Sequence, residues 1–190
     1  AFRALLLSAG YGTRLKPITL RTPKCLVPIC GEPLLGRWLR QLESAGCEAV
    51  LVNTHYLARQ VEDFLKGWNR ERMIVSTVHE AKLLGTAATL IENRDFFTGG
   101  TGLMIHADNA MVENLSGFLC AHEQRQSCCL MTMLTFNTKN PSDCGITVTD
   151  QKGVVTSFHE KTKHPPGNCA NGAIYAFEKP FLEYLSKIRP

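Results

Sequence analysis

The chain reads Leu7-Ser8-Ala9-Gly10-Tyr11-Gly12-Thr13-Arg14-Leu15-Lys16-Pro17-Ile18-Thr19 and continues to Pro23-Lys24. This stretch joins the end of an apolar strand to a glycine-rich loop that carries positive side chains. Glycines let a backbone approach a ligand closely, and the N–H groups of such a loop can point at oxyanions. Arg14 and Lys24 add charges of the kind that phosphates attract. The stretch therefore predicts a cradle for a triphosphate.

Composition describes an ordinary globular chain. Of its 190 residues, 44% are hydrophobic and 20% are charged, and this length suits one buried domain, which we expect to span residues 1–190. The formal net charge of +4 is far from the basic stripe of a nucleic-acid binder. No apolar run approaches the ~20 residues that span a bilayer, and no signal-peptide layout precedes the first strand. We expect a cytoplasmic protein without nucleic-acid or membrane partners.

Strand and helix patterns alternate in the first half of the chain. Strands are predicted at 3–8, 48–53, 72–78 and 102–107, and helices at 33–45, 57–66 and 86–92, the last opened by Thr86 as its N-cap. The second half is richer in strands, with predicted elements at 115–124 (helix), 128–136, 146–149, 154–159 and 173–177 (strands) and 180–188 (helix). The alternation predicts an α/β fold with a mostly parallel sheet and a ligand site outside the carboxyl ends of its strands.

Two common phosphate-binding motifs do not match the glycine loop. The P-loop needs GxxxxGK[ST], and the dinucleotide fingerprint GxGxxG needs a third glycine that this loop lacks. A nicotinamide-dependent dehydrogenase is therefore disfavoured. The eight cysteines contain no CxxC pair and the six histidines have no metal-ligand spacing, so the sequence indicates neither a disulfide framework nor a zinc site.

A longer pattern around the loop resembles a known family. Gly-x-Gly-Thr-Arg-Leu-x-Pro-x-Thr, with Pro-Lys following, is similar to the signature of the sugar nucleotidyltransferases, and to those of the mannose-1-phosphate guanylyltransferase kind. Later segments resemble the family's motifs in the same order: 28–34, Glu80 with 84–87, 106–109, Gly145, 160–161 and 171–175. The resemblance implies a three-layer α/β/α, Rossmann-like nucleotidyltransferase fold of the GT-A-like type.

The resemblance also implies a reaction. An oxygen of a sugar 1-phosphate would attack the α-phosphorus of a nucleoside triphosphate and release pyrophosphate, with Mg²⁺ as cofactor. Arg14 would hold the β- and γ-phosphates, Lys24 would neutralise charge at the reacting phosphates, and Lys161 would grip the sugar phosphate. Asp108 would bind the metal, although Ala107 stands where the family usually has glycine. No Asp follows Asn171, so the family's second metal-binding Asp has no counterpart, and we expect a catalytic domain cut before that element.

The same resemblance assigns the residues that would contact the two substrates. Those for the nucleotide are Leu7, Ala9, Gly10, Gly12, Thr13, Arg14, Glu80, Gly85 and Thr86; those for the sugar are Gly145, Glu160 and Asn171. A carboxylate is acceptor-only and matches the two adjacent donors of guanine, so Glu80 favours GTP. Uridylyl or thymidylyl transfer, phosphocholine cytidylyl transfer and a non-catalytic nucleotide-sugar-binding domain remain open, as does a homo-oligomer.

Overall fold

The first strand, β1, is buried on both faces of a central sheet. It spans Phe2–Leu7, and Ala4, Leu5 and Leu6 are fully shielded from solvent. Because side chains alternate along a strand, Ala4 and Leu6 pack into one core cluster and Leu5 packs into another. A continuous apolar run is what a strand covered on both faces requires.

The computed structural model describes residues 2–68, 72–111 and 114–188. Helices α1 to α5 span Leu34–Ser44, Ala58–Lys66, Thr86–Glu92, Leu115–Glu123 and Lys179–Lys187. Strands β2 to β10 span Pro28–Ile29, Glu32–Pro33, Cys47–Thr54, Ile74–His79, Thr101–His106, Met131–Asn137, Gly145–Thr149, Val155–Glu160 and Cys169–Phe177. Apart from β7 and β10, each predicted element agrees with the observed one to within two residues at either end. The hairpin β2–β3 was not predicted, because its prolines argue against strands.

The central sheet is mixed. Eight of the strands in the described residues join in the order β5-β4-β1-β6-β10-β8-β9, with β7 also paired to β10. The pairs β1–β4, β1–β6 and β4–β5 are parallel, whereas all pairs of β8 and β10 are antiparallel. The predicted α/β fold is confirmed, but its parallel part is limited to four strands. Parallel neighbours need long crossovers, and from β7 to β10 the chain has only loops and a short turn.

Helices cover both faces of this sheet. From α1, α2 and α4, Trp38, Val61 and Phe118 enter the core cluster on one face. From α3 and α5, Leu90 and Leu182 enter the cluster on the other face. The layers are therefore α/β/α, as the resemblance implies. Within the described ranges, no helix has the length and apolarity needed to cross a membrane.

The start of α3 differs from its prediction. Gly85 is the N-cap, with φ +85° and ψ 164°, and Thr86 is the first helical residue. The chain enters this helix through a backbone conformation that is essentially confined to glycine, which a β-branched threonine cannot supply. The prediction of Thr86 as N-cap is therefore wrong.

Candidate active site

The carboxyl ends of the four parallel strands meet at one edge of the sheet. There β1 leads into Ser8 and the glycine loop, β4 ends next to Asn53, β5 leads into Glu80, and β6 leads to Asp108. A cavity of about 230 Å³ opens between these ends. We call it the strand-end cavity. Six of the predicted nucleotide-binding residues line it: Leu7, Ala9, Gly10, Glu80, Gly85 and Thr86.

A buried hydrogen-bond network ties three of the strand ends together. The Ser8 backbone N–H donates to Asn53 Oδ1 (2.7 Å), and the Ser8 hydroxyl donates to the Asn53 carbonyl (2.5 Å). Asn53 Nδ2 in turn donates to Glu80 Oε1 at 2.9 Å. All three residues are buried. The amide of Asn53 therefore holds β1 and β5 in fixed positions on either side of β4.

The Glu80 carboxylate is held by two further donors. The Thr89 hydroxyl donates to Oε1 (2.5 Å), and the Leu84 backbone N–H donates to Oε2 (3.1 Å). Burial raises the pKa of Glu80, but the hydrogen bonds from Thr89, Asn53 and Leu84 outweigh it, so the pKa lies below its ordinary value. Each carboxylate oxygen accepts about two hydrogen bonds, so only Oε2 keeps an acceptor position. A base contact by Glu80 thus stays a prediction, limited to a single hydrogen bond in this geometry.

The glycine loop is shaped by contacts within the chain. Gly12 has φ +62°, and a Cβ there would lie 2.8 Å from Cγ2 of Thr19. The Thr19 hydroxyl also donates to the Gly12 carbonyl at 2.7 Å. Thr13 and Arg14 follow in a short 3₁₀ turn and are exposed. Gly12 is therefore required by the fold of the loop, and neither it nor Thr13 lines the strand-end cavity.

Lys24 and Asp108 form an ion pair between the glycine-loop region and the end of β6. Both side chains are partly exposed. The neighbouring Cys25 is buried, and burial raises the pKa of its thiol to about 12, so it is not a thiolate nucleophile near neutral pH. The pair places an anion and a cation together at the wall of the cavity.

The donor set around Asp108 suits Mg²⁺ that is shared with phosphates. Lys24 bonds Oδ2 of Asp108, which leaves the other carboxylate oxygen for a metal. Proteins bind Mg²⁺ through one or two carboxylates plus the phosphates of the substrate. Among the described residues, no three His, Cys, Asp or Glu side chains cluster as a metal site. Asp108 therefore fits the ion with substrate phosphates as its other ligands.

A second and larger cavity, of about 950 Å³, adjoins the first. We call it the β10 cavity, because 171–175 of that strand form part of its wall. The predicted residues that line it are Arg14, Thr86, Asp108, Gly145, Glu160, Lys161 and Asn171. Lys161 lies 3.7 Å from Glu160 and both side chains are more than half exposed, so this ion pair leaves the ammonium accessible. Among the described residues Arg14 has no ion pair.

Two local features shape the β10 cavity. A Cβ on Gly145 would lie 2.4 Å from the ring of Phe158, so the glycine lets β8 pass beneath that ring. Asn171 donates to the Tyr175 hydroxyl (2.7 Å) and accepts from the Ala173 backbone N–H (2.8 Å). These two hydrogen bonds of Asn171 stabilise the irregularity in the pairing of β10 with β7 between Asn171 and Tyr175.

Sequence reasoning missed Asn53 and gave no role to His106. Asn53 follows the apolar run 49–52 near the end of the buried strand β4. A polar side chain at the end of a buried strand is a signal that could have identified it. His106 lines both cavities. Burial lowers the pKa of His106 and the charge of Lys24 acts in the same direction, whereas Asp108 opposes them. Only the tertiary structure reveals that His106 lies between the two cavities.

The chain is similar to proteins of known family. The Drosophila melanogaster mannose-1-phosphate guanylyltransferase catalytic subunit beta is 31% identical over 99% of this chain and 51% of its own length. A UTP–glucose-1-phosphate uridylyltransferase from Synechocystis is 28% identical over 96% of this chain and 50% of its own. The chain thus spans about half the length of these relatives.

The fold comparison agrees with the sequence comparison. A UDP-glucose pyrophosphorylase solved with UDP-glucose superposes with a TM-score of 0.81 at 23% identity, over 99% of this chain and 80% of that one. At this identity the likeness concerns the fold. The family described as "Nucleotidyl transferase" matches residues 3–190, and the chain therefore belongs to the nucleotidyl transferase family.

Proposed function

We propose that this protein transfers a nucleotidyl group from a nucleoside triphosphate, with GTP favoured, to a sugar 1-phosphate and releases pyrophosphate. The observation that carries the proposal is the Lys24–Asp108 ion pair at the meeting of two cavities. One cavity is bounded by the glycine loop and the other contains exposed cations. Two anionic substrates could thus meet at the pair.

The chemistry requires charge neutralisation more than proton transfer. The second pKa of a phosphate monoester is about 6, so the attacking oxygen is already ionised at neutral pH. Attack on the α-phosphorus forms the new P–O bond while the bond to the leaving pyrophosphate breaks, and the reacting groups must be held in line. In this proposal Lys24 neutralises charge at the reacting phosphates, Arg14 binds the leaving pyrophosphate and Lys161 binds the acceptor phosphate.

Mg²⁺ held by Asp108 and the phosphates would supply further positive charge. Asp108 would be the protein carboxylate that binds the ion, with the phosphates as its other ligands. The sugar would lie in the β10 cavity, where Glu160 and Asn171 offer polar groups and Gly145 leaves room.

GTP is favoured by the relatives of this chain. The one acceptor position that Glu80 keeps at the strand-end cavity suits an N–H donor of guanine and of uracil alike, so it does not choose between the two bases. Relatives named mannose-1-phosphate guanylyltransferase come from Drosophila melanogaster and Mycobacterium tuberculosis. The relative named as a uridylyltransferase makes UTP the second candidate.

One assay tests the activity and the choice of substrates. Each of the four nucleoside triphosphates is incubated with mannose 1-phosphate, glucose 1-phosphate or phosphocholine, with and without Mg²⁺, and pyrophosphate release is measured. We expect release with GTP and a sugar 1-phosphate, dependent on Mg²⁺. Tight nucleotide binding without release from any pair would instead support a non-catalytic nucleotide-sugar-binding domain.

A matched pair of variants tests the glycine loop. Arg14→Ala removes an exposed cation that lines the β10 cavity and should abolish most turnover without unfolding the chain. Arg21→Ala removes an exposed cation from the same region that does not line either cavity and should leave turnover within about twofold, as for a surface substitution. Equal activity of the two variants would contradict the assignment of Arg14.

A further inference from the structure

His106 stands where the two cavities join. It is the last residue of β6, and its partner in the parallel pairing with β1 is Leu7, from which the chain runs into the glycine loop. Of the residues that the structure describes, Thr86, His106 and Asp108 alone line both the strand-end cavity and the β10 cavity. A ligand that extends from one cavity into the other would therefore pass beside these three residues.

The ring of His106 lies beside that of Tyr175. Its centroid lies 6.5 Å from that of Tyr175, whose hydroxyl is fixed by Asn171. Within the described part of the chain, neither ring nitrogen of His106 makes a hydrogen bond, although the residue is half-buried. Four other histidines each have a ring nitrogen in a hydrogen bond: His55 bonds Tyr11 and the Glu80 carbonyl, His79 bonds Thr54, His122 bonds Thr132 and His159 bonds Ser157.

We propose that His106 donates a hydrogen bond to a phosphate oxygen of the bound nucleotide. The inference rests on the proposed function, since it takes the strand-end cavity as the nucleoside site. An imidazole keeps at least one N–H donor in either protonation state. Its neighbours in the cavity wall are Lys24 and Asp108, the groups that face the reacting phosphates in the proposal. The contact would therefore be to the phosphate adjoining the ribose rather than to the base, for which the proposed function uses Glu80.

Calorimetric titration can isolate this contact without relying on turnover. GMP, UMP, guanosine and uridine are titrated into the whole chain and into three variants: His106→Leu, which removes the donor, His106→Gln, which retains one, and His164→Leu. His164 is exposed and outside both cavities, so it is the matched control. Thermal unfolding of each variant checks that the fold is retained.

The expected result is specific to the phosphate. His106→Leu should weaken binding of the better mononucleotide about tenfold, the loss typical of a hydrogen bond to a charged group, and leave its nucleoside within about twofold. His106→Gln should restore part of the loss, and His164→Leu should bind as the unsubstituted chain does. An unchanged mononucleotide affinity, or an equal loss for nucleoside and mononucleotide, would overturn the proposal. Failure of the proposed function is a separate result, because it is read from pyrophosphate release by the unsubstituted protein.

Discussion

Asn53→Ala should be among the most destabilising substitutions near the site. The side chain accepts from the Ser8 N–H at 2.7 Å and donates to Glu80 at 2.9 Å, and it is 3% exposed. Alanine leaves the buried Ser8 N–H without this acceptor, at a cost of about 1–3 kcal/mol. It also removes a hydrogen bond to a charged group, worth about 1.5–3 kcal/mol. The loss should therefore be about 3–5 kcal/mol, against a total stability of roughly 5–15 kcal/mol for a domain.

Urea unfolding followed by tryptophan fluorescence measures this loss, since Trp38 is in the core. Ser76→Ala is the matched control: Ser76 also lies on this sheet and bonds a backbone carbonyl, but it is exposed. It should change the free energy of unfolding by no more than about 0.5 kcal/mol. A loss below about 1 kcal/mol for Asn53→Ala, equal to that of the control, would refute the argument that the amide joins the strand ends.

The isosteric variant Asn53→Asp separates hydrogen bonding from shape. It replaces the Nδ2 donor with an oxygen and sets a second carboxylate against Glu80, so the pKa of the pair should rise in the folded state. Folding then takes up protons, and the stability of this variant should increase as the pH falls from 7.5 to 5.5. In the unsubstituted chain the pKa of Glu80 is lowered, so its contribution should be lost only below its ordinary value of about 4.5. If the stability of Asn53→Asp did not increase between pH 7.5 and pH 5.5, the result would contradict a direct contact between the side chains of residue 53 and Glu80.

Three further predictions concern stability and binding. Gly102→Ala places a Cβ 2.4 Å from the ring of Phe177 and should lower the free energy of unfolding in urea by at least about 1–3 kcal/mol. Its control is Gly117→Ala, which lies within a helix with open space around it and should raise that free energy by about 0.5–1 kcal/mol. Burial lowers the pKa of His122, so stability should fall as the pH drops below about 6.5, and His122→Asn should flatten that part of the pH–stability curve. Gly85→Ala forces a side chain to φ +85°, at a cost of about 1–3 kcal/mol, and calorimetry should show weaker nucleotide binding.

The sequence predicted those parts of the fold that depend on local pattern. The helix at 33–45 was recognised from the spacing of Leu35, Trp38 and Leu39 and agrees with α1 to within one residue at each end. Strand β10 was predicted four residues too short, because Asn171 and Gly172 interrupt its apolar pattern. Those two residues lie at a pairing irregularity that long-range contacts with β7 and Asn109 stabilise. Periodicity carries no information about such contacts.

The glycine loop and its cations were evident from the sequence by itself, because glycine spacing and fixed charge are local properties of the chain. The sequence also predicted that Glu80 and Asp108 lie just after strands. Only the tertiary structure decided that Asp108 pairs with Lys24, that Asn53 restrains Glu80, and that His106 lies between two cavities. The reason is physical: the pairing of parallel strands brings together side chains that are dozens of residues apart in the chain, and hydrogen-bond capacity is known only once those neighbours are in place.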